Sequence, residues 1–366
     1  MTPDGLPVER DPASLLGRMR DEISFICAHA PEVWERCLGQ AEAPSERPSA
    51  LVLTGCGDSY YAGLAVRSLL EDLTGLPTLV WPAMEVVTVP SLLLSGDALL
   101  VGVSVSGKVG RTIEAVAAHA ARDGRTVAVT AFAESRLAAT TDAAVVTGVT
   151  GTPGPVPGTS TYVASLLGLM SIGVALAQPG RAADANRDVL RALRLLPDSV
   201  AAAERFAADV AVDLKEPFFV VGTGADAGTA HYAAAKFLEA AGLVGVAQDL
   251  EEWAHEQYFA TDASRTLLMS VTDERLVERA GQVAAMARSV EGRVAAVGSP
   301  ALGPAADIAM TLPPVGAATA PLLAWLPFAL AALHFSRGNC RFPFGTDRAN
   351  RMSIADRSIY APGPPA

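Results

Sequence analysis

Four stretches of this 366-residue chain place chemically useful side chains at useful spacings. Gly55-Cys56-Gly57-Asp58-Ser59 puts glycines where an apolar strand turns into a helix. Glycine lets a backbone approach a ligand closely, and the free amides at a helix start attract anions. Ser104-Val105-Ser106-Gly107-Lys108-Val109-Gly110-Arg111-Thr112 follows another apolar strand. Two hydroxyls spaced i, i+2 beside main-chain amides make a concave anion site, to which Lys108 and Arg111 add charge. Lys236 and Glu239, spaced i, i+3, share one helix face and can pair. His255 sits in the acidic, aromatic run Asp249–Phe259. A carboxylate and an imidazole are what proton transfer between adjacent carbons requires. Each stretch also has a plain structural reading: a tight turn, a capped helix start, a surface ion pair and a satisfied histidine.

Bulk composition narrows the partners. Hydrophobic residues make up 50% and charged residues 18%, enough for a substantial core. The net charge of −11 argues against nucleic acid as a partner, whereas a small phosphate can still be held by local amides. Cys27, Cys37, Cys56 and Cys340 show no Cys-x-x-Cys and no metal spacing, so free thiols are expected and no metal or other cofactor is implied. The acidic, polar start is not a signal peptide, and apolar runs such as 166–177 are too short for a bilayer. The expected setting is cytoplasmic, with no membrane partner.

The elements that must position these residues follow a repeated layout. Residues 1–12 carry no periodic pattern and are expected to be disordered. A helix is expected over 14–40, broken at Pro31, followed by a linker over 41–50. Short apolar strands over 51–53, 78–81, 98–103, 126–130 and 143–147 alternate with helices over 61–73 and 111–122. That alternation predicts a parallel sheet covered on both faces. The Gly/Pro-rich loop 151–161 leads to an apolar helix over 162–177 and a connecting helical stretch over 181–213. The layout then restarts: strands over 218–221, 267–271, 294–297 and 308–311, helices over 227–241 and 322–335, and a polar arginine-bearing tail. The fold class is α/β, with two lobes that each contain a parallel sheet flanked by helices. The domain plan is a leader and helix over 1–46, lobe 1 over 47–180, a linker helix and lobe 2 over 181–345, and a tail over 346–366.

From Met19-Arg20-Asp21-Glu22-Ile23 to the tail, the order of motifs resembles the double sugar-isomerase (SIS) family, most of all the isomerase half of glucosamine-6-phosphate synthase and the SIS-type glucosamine-6-phosphate deaminases. Cys56-Gly57-Asp58-Ser59-Tyr60 stands for C-G-T-S-Y, and Ser104–Val109 for the phosphate motif S-Q-S-G-E-T. Thr159-Ser160-Thr161-Tyr162 stands for A-S-T-K, Ala235–Glu239 for L-K-L-K-E, and Glu252–His255 for E-L-K-H. The resemblance implies that Ser59, Ser104 and Ser106 hold a sugar phosphate; Gly57 and Ser160 are also expected to line the site, and Lys108, Arg111 or Thr112 to compensate for the missing hydroxyl at Val109. It implies that Glu239 moves the proton between C1 and C2, that His255 helps open the sugar ring, and that Lys236 sits beside the open chain. It further implies a homodimer in which His255 completes the neighbouring subunit's site.

The chain also departs from that pattern. The phosphate-motif threonine is Val109, which removes a hydrogen bond to a charged group, about 1.5–3 kcal/mol. Val105 replaces glutamine, Asp58 brings a carboxylate near the anion, and Glu256-Gln257 replace Gly-Pro. The family's tail lysine has no counterpart; Arg348, Arg351 and Arg357 occupy the tail, and arginine does not form imines. Nothing resembles a glutaminase domain, so synthesis of an amino sugar from glutamine is not expected. The resulting expectation is aldose–ketose isomerisation or deamination of an amino-sugar phosphate. The alternative is a non-catalytic or specialised SIS protein that binds a phosphosugar or a modified sugar. A dinucleotide-binding protein is disfavoured, because Gly222-Thr223-Gly224 followed by Gly228 misses the G-x-G-x-x-G spacing.

Overall fold

The computed structural model describes residues 11–89, 97–348 and 351–361. The expectation of disorder at 1–10 lies outside them. Asp11 and Pro12 are ordered: the Asp11 carboxylate accepts from the amides of Ala13 (3.3 Å) and Ser14 (3.0 Å) and so caps the first helix.

In chain order the first elements are α1 (Pro12–Leu38), β1 (Leu51–Gly55), α2 (Asp58–Thr74), β2 (Thr78–Pro82), α3 (Ala83–Thr88), β3 (Leu99–Val103) and α4 (Gly110–Ala120). There follow β4 (Arg125–Thr130), β5 (Ala143–Val146), α5 (Ser160–Ala175) and α6 (Ala182–Val212). The second series is β6 (Phe218–Val221), α7 (Ala225–Ala241), β7 (Gly245–Gln248), α8 (Leu250–His255) and β8 (Thr266–Val271). It closes with α9 (Val277–Ser289), β9 (Arg293–Gly298), β10 (Ile308–Thr311), α10 (Pro321–Gly338) and α11 (Arg351–Ile359).

Two compact units result, each with its own five-stranded sheet. Lobe 1 gathers Ala28–Thr150, Ser160–Arg194 and the C-terminal residues from Ile354. Lobe 2 gathers the N-terminal residues to Cys27, the loop Gly151–Thr159 and Leu195–Ser353. Helices α1 and α6 each contribute to both. Every strand pairing is parallel, as the near-continuous apolar runs require. The strand orders are β2-β1-β3-β4-β5 and β7-β6-β8-β9-β10, one permutation used twice. In each lobe the order reverses between the first and third strands. The crevice outside the carboxyl ends of those strands is where open α/β sheets bind ligands.

Each lobe buries one helix that is apolar on all sides: α5 against α2 in lobe 1, and α10 against α7 in lobe 2. Gly173 permits the first approach, since a Cβ there would lie 2.3 Å from a Leu70 methyl. Among the described residues no helix is long and apolar enough to cross a membrane.

Three expectations need correction. Pro31 does not break α1, although an interior proline forfeits a hydrogen bond and crowds the preceding turn. The buried stripe Ala30, Val33, Trp34 and Cys37 continues past it, and Trp34 Nε1 donates to Asn186 Oδ1 at 2.7 Å. Strand β7 was absent from the sequence pattern because its four half-buried residues include a glycine and a glutamine and form no apolar run. The polar tail contains α11, which a helical moment shorter than three turns does not announce.

Candidate active site

Lobe 1 assembles Gly55–Ser59 and Ser104–Thr112 at its reversal point, because β1 and β3 are hydrogen-bonded neighbours ending at the same level, Thr54 opposite Gly102. The approach is tight: a Cβ on Gly55 would lie 3.0 Å from the Val103 carbonyl and 2.8 Å from Ser59 Cβ. Gly57 turns the chain into α2 with φ 55° and ψ −130°, a backbone only glycine adopts without strain. Gly107 (φ 60°) is needed for a second reason, since a Cβ there would strike the Ser135 side chain at 2.2 Å.

Neither Gly57 nor Val109 offers a side-chain oxygen to cap the helix that it precedes. Ser104 is 3% exposed, and its Oγ has no hydrogen-bond partner among the described residues. Burying an unpaired hydroxyl costs about 1–3 kcal/mol, which a ligand acceptor would recover. Ser106 Oγ accepts from the Lys108 amide at 3.2 Å, leaving its proton to donate elsewhere. Lys108 is exposed, Ser59 is half-buried, and Arg111 pairs with Glu114 one turn along α4.

Other residues expected here are placed differently. Thr112 is fully buried, its hydroxyl 3.9 Å from Cys56 Sγ. Ser160, at the first position of α5, is also buried. Asp58 acts inward: burial, reinforced by the Asp58 charge, drives the buried Tyr162 phenol well above its usual range. Cys56 is exposed as a residue, but desolvation of its sulfur pushes the thiol up, which argues against an activated thiolate.

Sequence reasoning missed one neighbour of this turn. The C-terminal backbone rests on Gly110, the first residue of α4, where a Cβ would lie 2.1 Å from the Ala361 carbonyl. Only the glycine hinted at it. The tail arginines Arg348, Arg351 and Arg357 are exposed.

In lobe 2, α7 carries Tyr232, Lys236 and Glu239 along one face. Lys236 is fully buried, its Nζ donates to Glu239 Oε2, and it lies 5.2 Å from the Tyr232 ring centroid. A buried ammonium needs such a partner and gains from the aromatic face. Glu239 keeps 24% of its side chain exposed, so one side of the carboxylate reaches solvent. The surface-ion-pair reading therefore fails for Lys236. His255, at the end of α8, is 69% exposed and lies 3.4 Å from Glu251, one turn back, rather than beside Glu239. The segment before it is tied down by contacts: Asp249 caps α8 by accepting from the amides of Glu251 and Glu252 and accepts from Thr223 Oγ1 at 2.6 Å, while Trp253 is buried against Phe219.

The loop expected over 151–161 is anchored in lobe 2. The Glu22 carboxylate accepts from the Thr152 amide (2.6 Å), the Thr159 amide (3.1 Å) and the Thr159 hydroxyl (3.4 Å). Among the described residues no group of three or more His, Cys, Asp or Glu side chains could hold a metal ion.

Two parallel five-stranded sheets flanked by helices, with the glycine turn and the serine turn side by side at the reversal point of lobe 1, define an α/β fold. Residues 47–175 match the SIS domain family. Over 297 residues it is 27% identical to a glutamine–fructose-6-phosphate aminotransferase (isomerizing) of Gloeobacter violaceus. That match covers 78% of this chain and 48% of the relative, so the chain spans about half the length of that protein. The C-terminal domain of glucosamine-fructose-6-phosphate aminotransferase from Francisella tularensis superposes with a TM-score of 0.75 at 17% identity, covering 93% of this chain and 99% of that one. Glucosamine-6-phosphate deaminase from Thermotoga maritima gives 0.70 at 19% identity, over 88% and 95%. At such identities the two superpositions establish the fold.

Proposed function

We infer that the chain is a phosphosugar isomerase or amino-sugar-phosphate deaminase. The observation that carries this reading is the buried, unpartnered Ser104 hydroxyl beside an uncapped helix start in lobe 1. Such a donor set is suited to a phosphoryl group. Ser104, Ser106 and Ser59 hold the phosphate, with the Gly57 turn giving it room and Lys108 adding charge. Glu239 takes a proton from one carbon of the open-chain sugar and returns it to the next. Lys236 orients that carboxylate by donating to Oε2. His255 handles the ring oxygen, and its exposure suits service to a second copy of the chain. Phe259, 82% exposed four residues on, supports a homodimer through this segment. Thr112, buried 3.9 Å from Cys56 Sγ, backs the first turn, and Ser160 is buried at the start of α5.

Names among the relatives point to fructose 6-phosphate and glucosamine 6-phosphate as first substrates. The test is incubation with a panel of sugar and amino-sugar phosphates, assaying ketose and ammonia. Glu239→Gln should lower turnover about 10²–10⁴-fold while binding by calorimetry persists. Full activity in that variant would overturn the assignment of Glu239. A second reading, a phosphosugar-binding sensor, is favoured by Val109 at the N-cap of α4, which supplies no hydroxyl. Binding of glucosamine 6-phosphate without turnover of any panel member would select it.

A further inference from the structure

Both lobes turn their first strand into a helix in the same way. In lobe 2, Gly224 has φ 66° and ψ −124°, nearly the backbone of Gly57. Counting from these glycines, Ser59 of lobe 1 corresponds to Asp226 of lobe 2. The strand register is shared as well, with Val52 opposite Leu100 and Phe219 opposite Leu267. It places Val271 and Asp273 where lobe 1 has Ser104 and Ser106.

The contents of the two reversal points are opposite. In lobe 1 the buried Ser104 hydroxyl has no hydrogen-bond partner among the described residues. In lobe 2, Asp226 is 1% exposed, and its carboxylate accepts three hydrogen bonds. Oδ1 accepts from Ser270 Oγ at 2.6 Å, and Oδ2 accepts from the Thr272 amide at 2.7 Å and from Thr272 Oγ1 at 3.0 Å. The amide belongs to the residue just past the end of β8, the strand that corresponds to β3. A planar oxyanion held by one main-chain and two hydroxyl donors has the chemistry of a bound ligand carboxylate, yet it belongs to the chain.

We propose that Asp226 is lobe 2's own anion: it fills that lobe's counterpart of the oxyanion cradle, pins the start of α7 to β8, and leaves phosphate binding to lobe 1 alone. The last clause rests on the reading of lobe 1 as the phosphate cradle; the first two do not. Asp226 is thus a positioning residue for Lys236 and Glu239, which lie three and four turns further along the same helix.

The test is chemical rescue. Asp226→Gly leaves Ser270 and Thr272 in place without their acceptor and should lower the melting temperature by about 5 °C or more. Formate should restore a large part of that loss, whereas chloride at the same ionic strength should not. Wild type and Asp226→Asn, whose site stays filled, should respond equally to the two salts. An Asp226→Gly protein that gains no more from formate than wild type overturns the proposal. Should the variant not fold alone, refolding from denaturant with formate or chloride reads the same question: a higher yield in formate supports it, and equal yields, including none, overturn it. Calorimetry with inorganic phosphate should give one site per wild-type chain, abolished by Ser106→Ala. Rescue by formate together with an unaffected Ser106→Ala would defeat the lobe 1 reading while leaving Asp226 as the internal anion.

Discussion

Single residues test the proposed phosphate site most directly. Val109 sits at the N-cap of α4 in extended backbone, φ −64° and ψ 115°, where threonine is strongly preferred to valine. Val109→Thr adds an oxygen at nearly constant volume. As a cap it should stabilise the ligand-free fold by about 1 kcal/mol, read as a higher melting temperature. With glucosamine 6-phosphate bound, the hydroxyl can turn to the phosphate, and a charge-assisted hydrogen bond of about 1.5–3 kcal/mol corresponds to roughly tenfold or more in Kd. If neither stability nor affinity changes, the α4 terminus is not the anion site. Lys236 teaches the complementary lesson. Its spacing from Glu239 was visible in sequence, but a lysine three residues from a glutamate is ordinarily an exposed pair. Complete burial beside Tyr232 is a property of what packs around α7.

Elements are coupled by a few polar contacts that no local pattern announces. In lobe 2, Glu204 on α6 accepts from Arg20 on α1 and lies 2.5 Å from His334 Nε2 on α10. Partial burial alone would raise the Glu204 carboxyl, but the hydrogen bonds from His334 and Arg20 prevail and hold it below the ordinary 4.5. A depressed carboxyl adds stability that is fully present above the unfolded-state value and is lost as pH falls through the folded-state value. Glu204→Gln should therefore melt lower than wild type at pH 7, with the gap closing below pH 4.5. A gap that stays constant down to pH 3 would show the contact to be electrostatically idle. In lobe 1, Gly110→Ala puts a methyl 2.1 Å from the Ala361 carbonyl, and that carbonyl is backbone. The C-terminal segment should be displaced, so limited proteolysis after Arg357 should accelerate while the melting temperature of the lobe changes little. An unchanged cleavage rate would mean that the tail does not hold to α4 in solution.

At the scale of the whole molecule, one permutation of five parallel strands is used twice on dissimilar letters. It yields two reversal points with the same turn and opposite chemistry. The segment bearing His255 presents Phe259 to solvent, and a large aromatic side chain 82% exposed is a candidate for burial by a second copy. Phe259→Asp should convert a wild-type dimer to monomer by analytical ultracentrifugation and reduce turnover with it. A wild-type chain that is already monomeric at micromolar concentration would remove His255 from a neighbour's site.

The amino-acid sequence by itself determined the α/β class, nine of the ten strands among the described residues and the two glycine turns, because apolar runs and glycine spacing report local backbone and burial directly. It also named Ser104, Ser106, Lys236 and Glu239. Only the tertiary structure decided that Thr112 and Ser160 are buried, that Ser104 lacks a partner among the described residues, that Asp226 finds three donors at the end of β8, and that Ala361 lies on Gly110. The physical reason is range. A hydroxyl or carboxylate is satisfied or left open by partners tens to hundreds of residues away, and only the packing of strands and helices brings those partners within 3 Å or leaves them out of reach.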